Sequence, residues 1–183
     1  MANMFCFDPA EYADQFANDR FVHIKNGVSE EFLAQMKEQV AQSLRGPLMQ
    51  EYAIGDKEQA IYSLPTDSNY LQQLCDAVGG VCGLDPAKLI LSERHIKTYN
   101  DDANPNPLPH KDRVASEITV GLPVTIPAGS KLVLYPDREL SLNPFNSSTE
   151  HKNSLTPERS PQALLRDEDR VEVSAQPGDV VMF

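Results

Sequence analysis

The chain has 183 residues with a formal net charge of −11, and 40% of its residues are hydrophobic. That is enough for one globular domain, and so strong an acidic balance disfavours a phosphate backbone as partner, which needs clustered Lys and Arg. No run of about 18 apolar residues and no basic-then-apolar leader is present, so the sequence predicts a cytoplasmic protein with neither membrane nor nucleic acid as partner. Cys6, Cys75 and Cys82 are odd in number and match no paired zinc spacing, which predicts reduced thiols.

The first part of the chain, residues 1–84, is helix-rich by pattern. Asp8-Pro9 reads as N-cap and first helical residue of a short helix to Asn18. Residues 20–25 read as a strand, with His23 alternating between Val22 and Ile24 and so structural or exposed. Asn26-Gly27 is a turn, and Ser29 caps a second helix with Leu33, Met36, Val40 and Leu44 on one face. A third helix is predicted from Asp67 to Val78, stopping at Gly79-Gly80.

From residue 85 the period changes. Leu89, Leu91, Glu93, His95, Lys97 and Tyr99 alternate with Ile90, Ser92, Arg94, Ile96 and Thr98, as a long strand requires. Ile118, Val120, Leu122, Val124 and Ile126 form one apolar face of a further strand, with Glu117, Thr119 and Thr125 on the other. Residues 131–135 and 170–173 add two strands, Gln176-Pro177-Gly178-Asp179 is a turn, and residues 180–183 begin another strand. The polar stretch 137–169 shows little periodicity and reads as a lid or insertion in which His151 is expected at the surface. The run Arg166-Asp167-Glu168-Asp169-Arg170 reads as a solvent-facing turn, Asp101-Asp102 as solvated carboxylates, Cys75 and Cys82 as core thiols, and His95 as packed or hydrogen-bonded. Helices followed by many short strands predict an α+β domain whose helices cover one face of an antiparallel barrel or jelly roll.

The sharpest chemical signal is His110-Lys111-Asp112. Residues i and i+2 of a strand share a face, so one imidazole and one carboxylate can hold one metal ion as two members of a facial triad. Lys111 and Arg113 then point away from it. The triplet is common by chance, and its context carries the weight. A Pro-rich segment, residues 104–109, precedes it, and the regular strand, the pair of short strands and Pro177-Gly178-Asp179 follow.

In this order the features resemble the Fe(II)/2-oxoglutarate-dependent oxygenases, in particular the small phytanoyl-hydroxylase-like branch. The resemblance rests on Phe21-Val22-His23-Ile24-Lys25 before a helix, the strand with Lys97 and Tyr99, the His-x-Asp pair and the Pro-Gly-Asp turn, and it spans most of the chain. It implies a double-stranded β-helix, a cupin-like jelly roll with the N-terminal helices packed on one face. It implies His110 and Asp112 as iron ligands, and Tyr99 or Lys97, Tyr99 favoured, on the 2-oxoglutarate carboxylates. Fe(II) would be the cofactor, and 2-oxoglutarate and O₂ the cosubstrates. The reaction implied is hydroxylation of a small metabolite with release of succinate and CO₂. Asp112 argues against halogenation, for which related enzymes put a small residue there.

The family's distal His and 2-oxoglutarate-binding Arg follow the strand after the Pro-Gly-Asp turn, beyond Phe183. The expectation is therefore that the 183 residues are the larger part of one such domain, with its last strands missing. The competing readings are a catalytically inactive barrel that serves as a binding module, and a cupin-type metalloenzyme that needs no 2-oxoglutarate.

Overall fold

The computed structural model describes residues 2–43, 57–65, 68–99, 109–114, 116–137, 141–145 and 148–183. The predicted positions Leu44, Asp67, Asp101 and Asp102, and residues 104–108, lie outside the described residues. The chain is a mixture of helices and small antiparallel sheets.

Asp8 caps a 3₁₀ turn, Pro9–Tyr12, by accepting from the Ala10 N–H at 3.0 Å. The turn runs into α1 (Ala13–Asp19), which Arg20 closes at φ 63°. β1 (Val22–Ile24) buries Val22 and Ile24 completely. Ser29 caps α2 (Glu30–Ser43) through its Oγ, which accepts from the Phe32 N–H. The buried centre of α2 is Phe32 and Met36, an i,i+4 pair, with Leu33 packed at its edge.

α3 (Tyr70–Cys82) corrects the predicted stop at Gly79-Gly80. The helix runs through both glycines and ends at Gly83, which adopts φ 69°. Both internal glycines serve close approach. A Cβ at Gly79 would lie 2.6 Å from the Pro86 ring and 2.9 Å from the Leu84 carbonyl, and one at Gly80 would lie 2.7 Å from Pro9. The missing side chains let the N-terminal turn and the turn after α3 dock on the helix.

The expected 89–99 strand shortens to β3 (His95–Tyr99), which pairs with β2 (Lys57–Ile61). Residues 89–94 join no ladder, apart from the Arg94 carbonyl accepting from the Tyr62 N–H. The 118–126 strand likewise shortens to β4 (Val120–Gly121), between residues bounded by Pro123, whose missing N–H cannot extend a ladder. Of its predicted apolar face, Ile118, Val120, Leu122 and Val124 pack on the core, and Ile126 is not among the residues that do. β5 (Leu132–Leu134) pairs with β6 (Val171–Val173). The supposed loop 137–169 contains α4 (Ser148–Ser154), α5 (Pro161–Leu164) and two 3₁₀ turns, the second at Asp167–Asp169 within the exposed charged run.

β7 (Val180–Met182) is buried along its whole length between β1 and β4, antiparallel to both. The strands make one three-stranded sheet, β1-β7-β4, and two pairs, and among the described residues no barrel closes. Of the expected fold, what the structure shows is the mixture of helices and small antiparallel sheets. The core lies where the central sheet meets α2 and α3, with Met4, Ile24, Phe32, Tyr70, Val81 and Met182 at its centre. None of the helices searched is long and apolar enough to cross a membrane.

The turn into β7 carries a buried carboxylate with several hydrogen-bond partners. Gly178 adopts φ 92° as the third residue of the Gln176–Asp179 turn, which the Asp179 N–H closes onto the Gln176 carbonyl. The buried Asp179 carboxylate accepts from His23 Nε2 at 2.7 Å, from the Asn26 N–H at 2.9 Å and from the Gln176 N–H at 2.8 Å. Burial pushes this carboxyl up, yet the Asn26 N–H, His23 and the Gln176 N–H together hold it below the ordinary aspartate value.

Two outcomes follow from these contacts. In Gly79→Ala the gain in helix propensity, about 1 kcal/mol, is outweighed by overpacking of roughly 1–3 kcal/mol against a proline ring and a backbone carbonyl. The urea midpoint should therefore fall at unchanged slope. The depressed carboxyl of Asp179 contributes stability that is present in full above about pH 4 and is lost as pH falls through its native value. Asp179→Asn should cost about 2 kcal/mol at pH 7 and flatten the acid limb of a pH series of urea unfolding curves.

Candidate metal centre

Residues 109–114 form no strand, only an isolated bridge from Arg113 to Asn143, so the i,i+2 relation of His110 and Asp112 is delivered without the regular strand the spacing predicts. The two side chains nevertheless meet, with His110 Nε2 3.6 Å from Asp112 Oδ1. They are 38% and 50% exposed, open enough to meet a solute. The second carboxylate oxygen, Oδ2, accepts a long hydrogen bond from Thr119 Oγ1 at 3.4 Å.

Thr119 is where the central sheet reaches the pair. Alternation turns Ile118 and Val120 to the core and Thr119 the other way. The Thr119 N–H donates to the Phe183 carbonyl at 2.8 Å and the Phe183 N–H donates back at 3.1 Å. The end of β7 thus lies beside the residue that touches Asp112.

Three further contacts fix the segment. Asn143, almost fully buried, donates from Nδ2 to the Lys111 carbonyl, and its own carbonyl accepts from the Val114 N–H. Its Oδ1 accepts from the Phe145 N–H at 2.9 Å. The guanidinium of Arg113 forms an ion pair with Glu93, whose other oxygen lies 3.3 Å from His95 Nδ1. The Arg113 Nε is buried without a hydrogen-bond partner among the described residues.

Glu93 connects the segment to β3. His95, Lys97 and Tyr99 take the exposed positions of that strand, while Ile96 and Thr98 are half-buried, so Lys97 and Tyr99 do share a face as their spacing predicts. His95 Nδ1 lies beside the Glu93 carboxylate, in line with its reading as a hydrogen-bonded residue.

His151 is a correction. Expected at the surface, it is 3% exposed within α4, and its Nε2 has no partner among the described residues. It does not gather with His110 and Asp112: among the described residues no three His, Cys, Asp or Glu side chains form a metal-ready group. His23, read as structural or exposed, is structural, held by Asp179. Cys82 is half-buried and its thiol is pushed up to about 11 by burial; burial, then Asp76, raises Cys75 as well. Cys82 packs against the core as expected, whereas Cys75 is half-buried and is not among the residues packed there.

Sequence reasoning missed Thr119, Glu93 and Asn143. Glu93 carried a signal, since it alternates in phase with His95, Lys97 and Tyr99. Asn143 carried none, sitting in a stretch without periodicity.

The chain matches no protein-family model, no curated protein and no solved structure. The reading of the site therefore rests on its own geometry.

Asn143→Ala removes two side-chain hydrogen bonds at a buried position and leaves the Phe145 N–H without its acceptor. It should cost about 2 kcal/mol, and amide exchange at Val114 should accelerate as residues 109–114 loosen.

Proposed function

We propose that the chain is a non-haem Fe(II)/2-oxoglutarate-dependent oxygenase that hydroxylates a small metabolite. The observation that carries this reading is the His110–Asp112 pair, 3.6 Å apart, half-open, and backed through Thr119 by the strand that follows the Pro-Gly-Asp turn. Two donors at neighbouring positions of one ion, each about 2.1 Å from it, stand roughly 3.0–3.4 Å apart, so the pair needs only a small adjustment. One imidazole nitrogen and one carboxylate oxygen also suit Fe(II) chemically.

In this reading His110 and Asp112 hold the iron, and the third ligand comes from outside the described residues. The small antiparallel sheets would belong to a double-stranded β-helix. Bound there, Fe(II) would let O₂ oxidise 2-oxoglutarate to succinate and CO₂ while the second oxygen atom becomes the hydroxyl of the substrate. The protein's own residues do the rest. The Thr119 hydroxyl holds one oxygen of Asp112 and leaves the other toward His110. The Glu93–Arg113 pair anchors the segment, and Tyr99 and Lys97 offer a hydroxyl and an ammonium to the 2-oxoglutarate carboxylates.

The test is anaerobic addition of Fe(II) and 2-oxoglutarate to the protein as its source makes it. A weak visible charge-transfer band is expected, absent from Asp112→Ala at unchanged circular dichroism. Thr119→Val should keep the band but weaken Fe(II) binding by about tenfold, as loss of a group that orients a ligand does. If the protein binds neither ion nor cosubstrate, the reading fails and a binding module takes its place; if it binds the ion but not 2-oxoglutarate, a cupin-type metalloenzyme does.

A further inference from the structure

The turn that follows β1 joins two residues for separate physical reasons. Asn26 stands at φ 51°, in the left-handed region that Asn enters more readily than most residues. Gly27 is buried, and a Cβ there would lie 2.9 Å from Ile24 Cγ2, 3.0 Å from Val180 Cγ2 and 3.2 Å from the Phe7 ring. The first position favours Asn or Gly, and the second has room for glycine alone. Together they make the single Asn-Gly dipeptide of the chain.

Such a dipeptide is open to an intramolecular reaction, because a glycine has no side chain to obstruct attack by its own backbone nitrogen. The Gly27 nitrogen attacks the side-chain carbonyl carbon, Cγ, of Asn26. The new N–Cγ bond closes a five-membered imide, the Cγ–Nδ2 bond breaks, and Nδ2 leaves as ammonia with the proton that the Gly27 N–H gives up. Water then adds to either carbonyl carbon of the imide and cleaves its bond to the nitrogen. The product is aspartate or, with the chain rerouted through the side-chain carbon, isoaspartate. Water is the only other reactant.

The fold acts on this reaction in two opposite ways. Asn26 is exposed, its side-chain amide makes no hydrogen bond among the described residues, and the Gly27 N–H donates to no acceptor among them, so both reacting groups are accessible. Cys6 Sγ also donates to the Asn26 carbonyl at 3.0 Å, which draws electron density from the peptide between residues 26 and 27 and makes the Gly27 N–H more acidic. The backbone opposes. In the left-handed region ψ is positive as well as φ, which sets the next nitrogen on the far side of Cα from Cβ, and ring closure needs a rotation about ψ. Asp179 resists that rotation by accepting from the Asn26 N–H at 2.9 Å, and the Cys6 N–H holds the Gly27 carbonyl at 3.0 Å.

From this we infer that Asn26 is a site of slow spontaneous deamidation, gated by the opening of the turn that Asp179 holds closed. The reaction proceeds from the molecules in which this turn has opened locally while the rest of the fold persists. Once it has occurred, the turn no longer recloses as before. Isoaspartate adds a backbone carbon between the N–H that Asp179 accepts and the carbonyl that Cys6 holds, and either product puts a second negative charge on the residue that donates to a buried carboxylate. The modified chain is therefore less stable than its parent. None of this depends on the oxygenase reading.

The experiment ages the full chain in mildly alkaline buffer, folded and in unfolding urea, and follows position 26 by peptide mapping with electron-based fragmentation, which separates aspartate from isoaspartate. Both products are expected, more slowly in the folded chain than in urea. Asp179→Asn, checked by circular dichroism to be folded at the start, should convert about tenfold faster than the parent, since weakening a charged acceptor favours local opening. In the parent itself, urea below the transition should raise the conversion rate in step with amide exchange at Asn26, a readout that needs no variant. The aged parent should show a lower urea midpoint, and Asn26→Gly, which keeps the N–H and the positive φ, should age without that loss. The inference is overturned if position 26 stays unmodified in both folded proteins, if folded and urea-held chains convert at one rate, or if conversion does not follow exchange at Asn26.

Discussion

The carboxylate of Asp179 is the constraint on which the central sheet depends. It is buried where a lone charge would be costly, and it is retained because three donors converge on it: His23 from β1, Asn26 from the turn after β1, and Gln176 from its own turn. Asn26 reaches it only by adopting φ 51°, a conformation Asn tolerates better than most residues. The same turn is tied on two more sides, since the Gly178 N–H donates to the Pro123 carbonyl and the Gly178 carbonyl accepts from Val28. One short turn therefore joins the N-terminal strand, the exit of β4 and the entry of β7. The register of β7 follows from it, then the pairing of Phe183 with Thr119, and then the backing of Asp112.

Local chemistry made much of this legible. Asp8, Ser29 and the Pro-Gly-Asp turn act over two to four residues, and each does what its side chain or φ preference dictates. The alternation of Ile118, Val120, Leu122 and Val124 identified a buried face even though only two residues complete a ladder, because burial follows side-chain direction whereas a ladder needs a partner strand. Gly79 and Gly80 misled for a related reason. A glycine pair ends a helix when the chain needs positive φ, and Gly83 fills that role; the internal pair answers to Pro9 and Pro86, residues whose approach no local pattern reveals.

The candidate site divides in the same way. His110 and Asp112 were legible as a pair because they lie two residues apart, and the loss of the regular strand did not separate them. Lys97 and Tyr99 were legible as sharing a face, while what that face meets depends on how β2–β3 is placed. Thr119, Asn143 and Glu93 act across the chain, and His151 is buried by a short helix whose sequence, Ser-Thr-Glu-His-Lys-Asn-Ser, has no apolar stripe to announce an inward side. Partners set by tertiary structure leave no periodicity to read.

The partition of charge around Asp112 shows how such distant partners shape the pair. Arg113 is its immediate neighbour, and a free guanidinium within reach would take the carboxylate in a two-pronged ion pair, the interaction for which its planar donors are suited. Glu93 draws that competitor away by engaging Nη2 of Arg113, with His95 beside its other oxygen. Among the described residues Asp112 keeps one neutral hydroxyl donor, Thr119, and one imidazole, His110. Among the described residues no arginine then pairs with that carboxylate, which stands half-open beside an imidazole nitrogen. A sequence that places His, Lys, Asp and Arg in succession would neutralise itself locally; the fold prevents this by reaching back to residue 93.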